Sequence, residues 1–234
     1  MTRPAEAPTA GRELHRFGRP ARWVHGLVGV LVLVCIVTAA VLYNSSLQVL
    51  VGHRRVVELV HVWCGYALPV PLLAGLASRG YRAELRRLDR FAPADWRWLR
   101  SRTRRDGHLP VGKFNAGQKL NGSLSAGAIA VLLLTGIVMQ ATELAPLSWR
   151  TGATLTHDWV ALALGLLVLG HVSFAVRDPV ALRSLRTGTV HRDWARREHP
   201  AWAAEVLAAA EPAAEEPAGR GFPGRPDGAG PDHG

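Results

Sequence analysis

Cysteine is nearly absent from this chain. Cys35 and Cys64 are the only two, both lie inside apolar stretches, and no CxxC or CxxCH pattern occurs. That excludes a disulfide framework, a cysteine-ligated iron–sulfur cluster and covalently attached c-type haem within the chain. Both cysteines read as small buried hydrophobes. Acidic residues are also few, 18 against 28 basic ones, for a net charge of +10. Within the apolar stretches only Glu58 and Asp158 are available, both at one edge, so a carboxylate-rich di-metal centre lacks its ligands. No nucleic-acid-binding motif and no internal repeat accompanies the excess of arginine, which argues against a nucleic-acid partner.

What the chain does have is long hydrophobic runs. Four candidate spans stand out: Trp23–Leu42, Val56–Ala77, Leu120–Gln140 and Leu155–Val176. Each is about 20 residues long, enough to cross a hydrocarbon core of about 30 Å. The second carries Glu58, His61, Pro69 and Pro71 and is expected to kink, its freed carbonyls satisfied by neighbouring helices. The first could be read as a signal peptide ending at Thr38-Ala39-Ala40. Its apolar run is too long for one, and cleavage would discard His25.

Of the 28 basic residues, 25 fall before the first span, between the second and third, or after the fourth; Arg54, Arg55 and Arg150 alone lie in the other two loops. The positive-inside rule therefore puts both termini and the middle loop in the cytoplasm. Contact with anionic lipid follows from such loops. Arg82–Arg100 mixes Leu85, Leu88, Phe91, Trp96, Trp98 and Leu99 with charge and suits a helix lying in the interface. The expected fold is an all-α integral membrane protein: a four-helix bundle with an interfacial helix in its middle loop. Its divisions are a cytoplasmic segment 1–21, the bundle 22–203, and a tail 204–234 whose Ala, Glu, Pro and Gly predict disorder.

Four histidines sit inside the apolar stretches: His25, His61, His157 and His171. An imidazole in hydrocarbon is costly unless it is coordinated or paired. His157 and His171 are fourteen residues apart on one span. Fourteen steps return to within about 40° of the same helix face and advance about 21 Å along the axis. With the orientation above, His61 and His157 lie toward the outside, and His25 and His171 toward the cytoplasm. Each pair can supply two axial nitrogens to one haem iron, an arrangement suited to electron transfer. Gly26, Gly29, Gly65, Gly165 and Gly170 offer places for a flat macrocycle or a neighbouring helix to approach. His53 and His108, in loops, and His15, His191, His199 and His233, in the end segments, read as solvated.

The stretch Gly112-Lys113-Phe114-Asn115-Ala116-Gly117-Gln118-Lys119-Leu120 precedes the third span. It gathers hydrogen-bonding groups at the cytoplasmic interface, at the depth of the His25/His171 pair. A quinone head group would need such donors. A plain helix start capped by Asn115 or Gly117 explains the same residues equally well.

With these residues the chain resembles the membrane cytochrome b (gamma) subunit of respiratory formate dehydrogenases, within the wider di-haem cytochrome b group. The likeness covers about residues 15–205. It rests on Arg22-Trp23-Val24-His25, His61 with Gly65, Gly112–Leu120, His157 with His171, and the tail from Thr187-Gly188-Thr189-Val190 through Trp194-Ala195-Arg196-Arg197-Glu198-His199-Pro200-Ala201-Trp202. The resemblance implies four helices holding two haem b groups and electrons arriving from an iron–sulfur (beta) subunit, with formate oxidised on a separate catalytic (alpha) subunit. It implies menaquinone or ubiquinone reduction at a site lined by Asn115, Gly117 and Gln118. The sequence departs from the family pattern at Glu198, where a second histidine is usual, at Ala203, where a tyrosine is usual, and at Asp178-Pro179-Val180. Other expectations of the same sequence are a cytochrome b serving a Ni–Fe hydrogenase or a sulfur-compound reductase, and a haem-free membrane anchor.

Overall fold

The computed structural model describes residues 13–102 and 109–214, without the side chains of 211–214. His108, His233 and the tail beyond 214 lie outside the described residues. The first strand, β1 (Glu13–His15), leads into α1 (Arg19–Tyr43), whose first turn holds Pro20, where a missing N–H costs nothing. The Asn44 side chain caps α2 (Ser45–Val51), which stops at Gly52 in the left-handed conformation, φ 72°.

The second span is broken into α3 (Arg54–Ala67) and α4 (Pro69–Gly75). The expected kink falls at Leu68, immediately before Pro69. The third span is α7 (Ala116–Gln140) and the fourth is α8 (Leu147–Val176). All four are long and apolar enough to cross a membrane. Their large side chains face outward, with Leu166 and Leu169 each over 60% exposed. Such a surface is stable only in lipid.

The middle loop differs from the single interfacial helix expected over Arg82–Arg100. It forms two helices, α5 (Arg79–Asp89) and α6 (Pro93–Arg100). Pro93 holds Ala92 extended, at φ −110° and ψ 164°, and starts α6 afresh. Both helices pack on the first turns of α7.

After α8 come α9 (Pro179–Thr187), β2 (Thr189–His191), α10 (Arg192–Glu198) and α11 (Pro200–Ala214). Helix α11 carries regular structure ten residues past Ala204, where disorder was expected to begin. Strands β1 and β2 pair antiparallel, Leu14 opposite Val190. Gly188 makes the junction possible. Its φ is +85°, its carbonyl accepts the amides of Arg16 (2.7 Å) and Phe17 (3.1 Å), and a Cβ there would lie 2.8 Å from the Phe17 carbonyl oxygen.

Two cores result. Leu14, Val190, Trp194, Ala195, Trp202 and Ala203 bury one another in a cap at the end of the bundle where α1 begins and α8 finishes. Ala203 is 1% exposed there. The other core is at mid-bundle, where Val32 of α1, Leu68 and Leu164 of α8 meet.

Candidate functional site

Helix α8 runs beside α7, and α1 beside α3, while α1 and α3 approach α8 only sparsely. The space between these two pairs of helices is bridged by imidazoles. His61 of α3 faces His157 of α8 with ring centroids 6.2 Å apart. His25 of α1 faces His171 of α8 at 6.1 Å. Depth along the spans predicts these two partnerships, and the fold brings the same rings together. Leu164 lies seven residues from each α8 histidine, hence on the same face, and its core layer separates the two levels.

These spacings can be tested against a six-coordinate iron. A metal–imidazole bond of about 2 Å on either side, with each ring centre about 1 Å further back, puts the centroids about 6 Å apart. Both pairs fit. A Cβ built on Gly26, Gly29, Gly65, Gly165 or Gly170 would meet nothing within 4 Å, so open space adjoins each of these backbones. Among the described residues no three His, Cys, Asp or Glu side chains converge. A zinc or di-metal centre would need such a group, whereas a porphyrin brings four nitrogens and asks the protein for two.

The rings of His61 and His157 are held from behind. Nδ1 of His61 lies 2.9 Å from the Thr38 hydroxyl, and Nδ1 of His157 lies 2.9 Å from the Thr135 hydroxyl. In each ring this leaves Nε2 as the nitrogen available to a metal. Gly136, next to Thr135, keeps the wall beside the His157 ring thin, since a Cβ there would stand 3.6 Å from its Cε1.

The proposed quinone residues are at the α7 start. Asn115 and Gln118 form a reciprocal capping box: the Asn115 side chain accepts from the Gln118 amide at 2.9 Å, and the Gln118 side chain from the Asn115 amide at 3.0 Å. Their carbonyl oxygens are thus committed to the helix, and the amide NH2 groups are what they retain for a ligand. Gly117 lies under the Trp98 indole, which a Cβ would approach to 3.2 Å. Lys119 is withdrawn from the surface; its ammonium donates to Asp95 (2.7 Å) and to the Arg90 carbonyl (2.8 Å), anchoring α6 to α7.

His199, expected to be solvated, is 2% exposed. Its Nδ1–H donates to the Gly112 carbonyl at 2.7 Å, and its Nε2 accepts from the Arg16 guanidinium at 3.1 Å. Burial, and secondly the Arg16 charge, push its pKa down to about 4. Burial likewise lowers Arg16 to about 10, against the attraction of Asp178 and Glu84. The Arg16 charge rests 4.5 Å over the Trp194 ring. Nearby, Lys113 pairs with Glu84, and burial outweighs that pairing to lower the ammonium's pKa. The signal in the sequence was the position of His199 between Trp194 and Trp202, which both pack against its ring.

Residues 16–188 match the prokaryotic cytochrome b561 family. The nitrate-inducible formate dehydrogenase cytochrome b556(Fdn) subunit of Escherichia coli K12 is 32% identical over 99 residues, 41% of this chain and 46% of that one. The Shigella flexneri subunit of the same name matches equally. The formate dehydrogenase cytochrome b556(fdo) subunit of Escherichia coli K12 is 27% identical over 108 residues, 45% of this chain and 51% of that one. The chain spans about half the length of these curated relatives. The family is a cytochrome b, which implies haem b. Most of its length lies within that match, and the chain belongs to the prokaryotic cytochrome b561 family.

Proposed function

We propose that this chain is the membrane cytochrome b subunit of a respiratory formate dehydrogenase, conducting electrons from an iron–sulfur subunit through two b haems to menaquinone or ubiquinone. The observation that carries the reading is the pair of imidazole couples at about 6 Å on one shared helix. Bound haem supplies one-electron redox chemistry without proton transfer at the metal.

The chain's own residues do the rest. His61 and His157 would hold one haem iron, His25 and His171 the other. The fourteen-residue interval on α8 sets the two levels about 21 Å apart along its axis. Leu164 and its neighbours keep water out between them. The arginine distribution favours both termini in the cytoplasm, with His61/His157 near the periplasmic face and His25/His171 near the cytoplasmic one. Asn115 and Gln118 then offer amide donors to quinone carbonyls at the cytoplasmic end, with Gly117 beside them under the Trp98 indole. Formate oxidised outside and protons taken up inside would make the reaction charge-separating. The names of the matching relatives favour formate over hydrogen as the source of electrons.

The test is a visible spectrum of the purified subunit before and after dithionite, followed by formate-driven reduction in membranes containing the whole complex. Two bis-histidine b haems reduced by formate support the proposal. A carefully loaded protein with no Soret band would leave the haem-free anchor. Reduction by hydrogen and not by formate would assign the chain to a hydrogenase.

A further inference from the structure

We propose that Thr38 and Thr135 are positioning residues that lock His61 and His157 as Nδ1–H tautomers, turning both Nε2 lone pairs toward one metal. The argument is a count of protons. A threonine hydroxyl has a single hydrogen. Thr38 lies within α1, and its hydroxyl is 2.7 Å from the Val34 carbonyl and 3.1 Å from that of Cys35. Thr135 repeats the arrangement within α7, 2.8 Å from the Val131 carbonyl and 3.2 Å from that of Leu132. Carbonyls only accept, so the hydroxyl proton is spent on its own helix. The oxygen that remains is an acceptor, and the atom facing it at 2.9 Å is the histidine Nδ1 in both cases. That nitrogen must carry the imidazole proton.

The two threonines come from different helices and reach different histidines, yet they build the same contact at one level of the bundle. Among the described residues, no side chain hydrogen-bonds the rings of His25 or His171. The two levels therefore differ. A hydroxyl accepting from Nδ1–H makes an imidazole a stronger donor to its metal, which favours the oxidised iron. This inference rests on the haem reading above, and it adds that the His61/His157 haem is held at a lower potential than its ligands alone would give.

The test uses Thr38→Val and Thr135→Val in the full chain, with Thr38→Ser and Thr135→Ser as rescue. Each valine variant is expected to retain both haems, raise one midpoint potential and leave the other unchanged, and each serine variant to restore the parent value. Haem lost from a valine variant and regained in the serine variant supports the same role. Potentials unmoved in both valine variants, or haem lost with serine as well as valine, would overturn it, since the hydroxyl's hydrogen bond would account for neither result. A second arm needs no haem. In 15N spectra of the haem-free, histidine-labelled chain in lipid nanodiscs, His61 and His157 are expected as the Nδ1–H form, becoming mixed in the valine variants. A parent chain that never binds haem but shows locked tautomers would sink the haem reading and the potential shift with it, and leave only the tautomer assignment standing.

Discussion

The imidazole of His199 donates to the carbonyl of Gly112, 87 residues earlier, across 2.7 Å. That bond joins the two most distinctive stretches of the chain, the Gly112–Leu120 segment and the Trp194–Trp202 tail. Since Arg16 occupies the other ring nitrogen, the N-terminal segment is bound into the same junction. The cap thereby holds the entrance of α7, where Asn115 and Gln118 lie.

His199→Ala should loosen this cap. It strands the buried Arg16 guanidinium and the Gly112 carbonyl, each losing a partner worth about 1–3 kcal/mol when left unsatisfied. Amide exchange across residues 190–207 should accelerate at neutral pH while the haem spectrum stays unchanged. Exchange equal to the parent's would mean that the junction contributes no stability.

The same residue sets a pH dependence. The folded pKa of His199, about 4, lies below its ordinary 6.5. Between those values the open form binds a proton that the closed form refuses. Cap stability is therefore fully present above pH 6.5 and is lost as pH falls toward 4, by on the order of 3 kcal/mol. Protection factors, the intrinsic exchange rate at each pH divided by the measured one, should fall as pH drops from 6.5 to 4 in the parent and stay flat in His199→Gln.

Ligand pairing predicts a pattern of haem loss. His25→Ala and His171→Ala should each remove the same haem, as should His61→Ala and His157→Ala the other. Haem per protein should fall by about half in every single variant. The double variant His25→Ala/His171→Ala should be no worse than either single one, because both act on one unit. Redox titration with one surviving component in each case checks this. Four variants that all lost both haems equally would contradict separate sites.

Much of this arrangement was legible in the sequence because its causes are local or periodic. Spans follow from run length, the break at Leu68 from Pro69, and the facing of His157 and His171 from a fourteen-residue interval. The cap was not legible. Two three-residue strands, 13–15 and 189–191, carry no pattern of their own, and their pairing depends on Gly188 adopting φ +85°. His199 sits among arginines, which suggests solvent; only the assembled Trp194 and Trp202 rings exclude it. The α5–α6 break was readable from Ala92-Pro93. The α11 helix was readable in part, since Ala203–Ala210 is rich in strong helix formers.

Gly188→Ala should be among the most damaging single substitutions outside the histidines. The new Cβ would meet backbone, the Phe17 carbonyl oxygen at 2.8 Å, which cannot swing aside, and φ +85° adds strain of about 1–3 kcal/mol. Gly122→Ala offers the contrast. Its Cβ would also be close, 2.8 Å, but to the Leu88 Cδ2 at the end of a flexible side chain. Thermal unfolding in detergent should therefore fall markedly for Gly188→Ala and little for Gly122→Ala. Equal losses would deny the glycine-specific role of the junction.

Asn115 separates a structural role from a chemical one. Its side-chain oxygen caps α7, worth about 1 kcal/mol, while its amide NH2 is the group proposed to meet quinone. Asn115→Asp keeps the capping oxygen and removes the donor; Asn115→Ala removes both. If the residue serves the quinone, reoxidation of dithionite-reduced haem by a soluble quinone should slow in both variants, with thermal stability falling only in Asn115→Ala. If it serves the helix alone, Asn115→Asp should reoxidise at the parent rate. The negative charge introduced by Asp sits at a helix N-terminus, where it is favourable, so a slowed rate there could not be charged to a weakened helix.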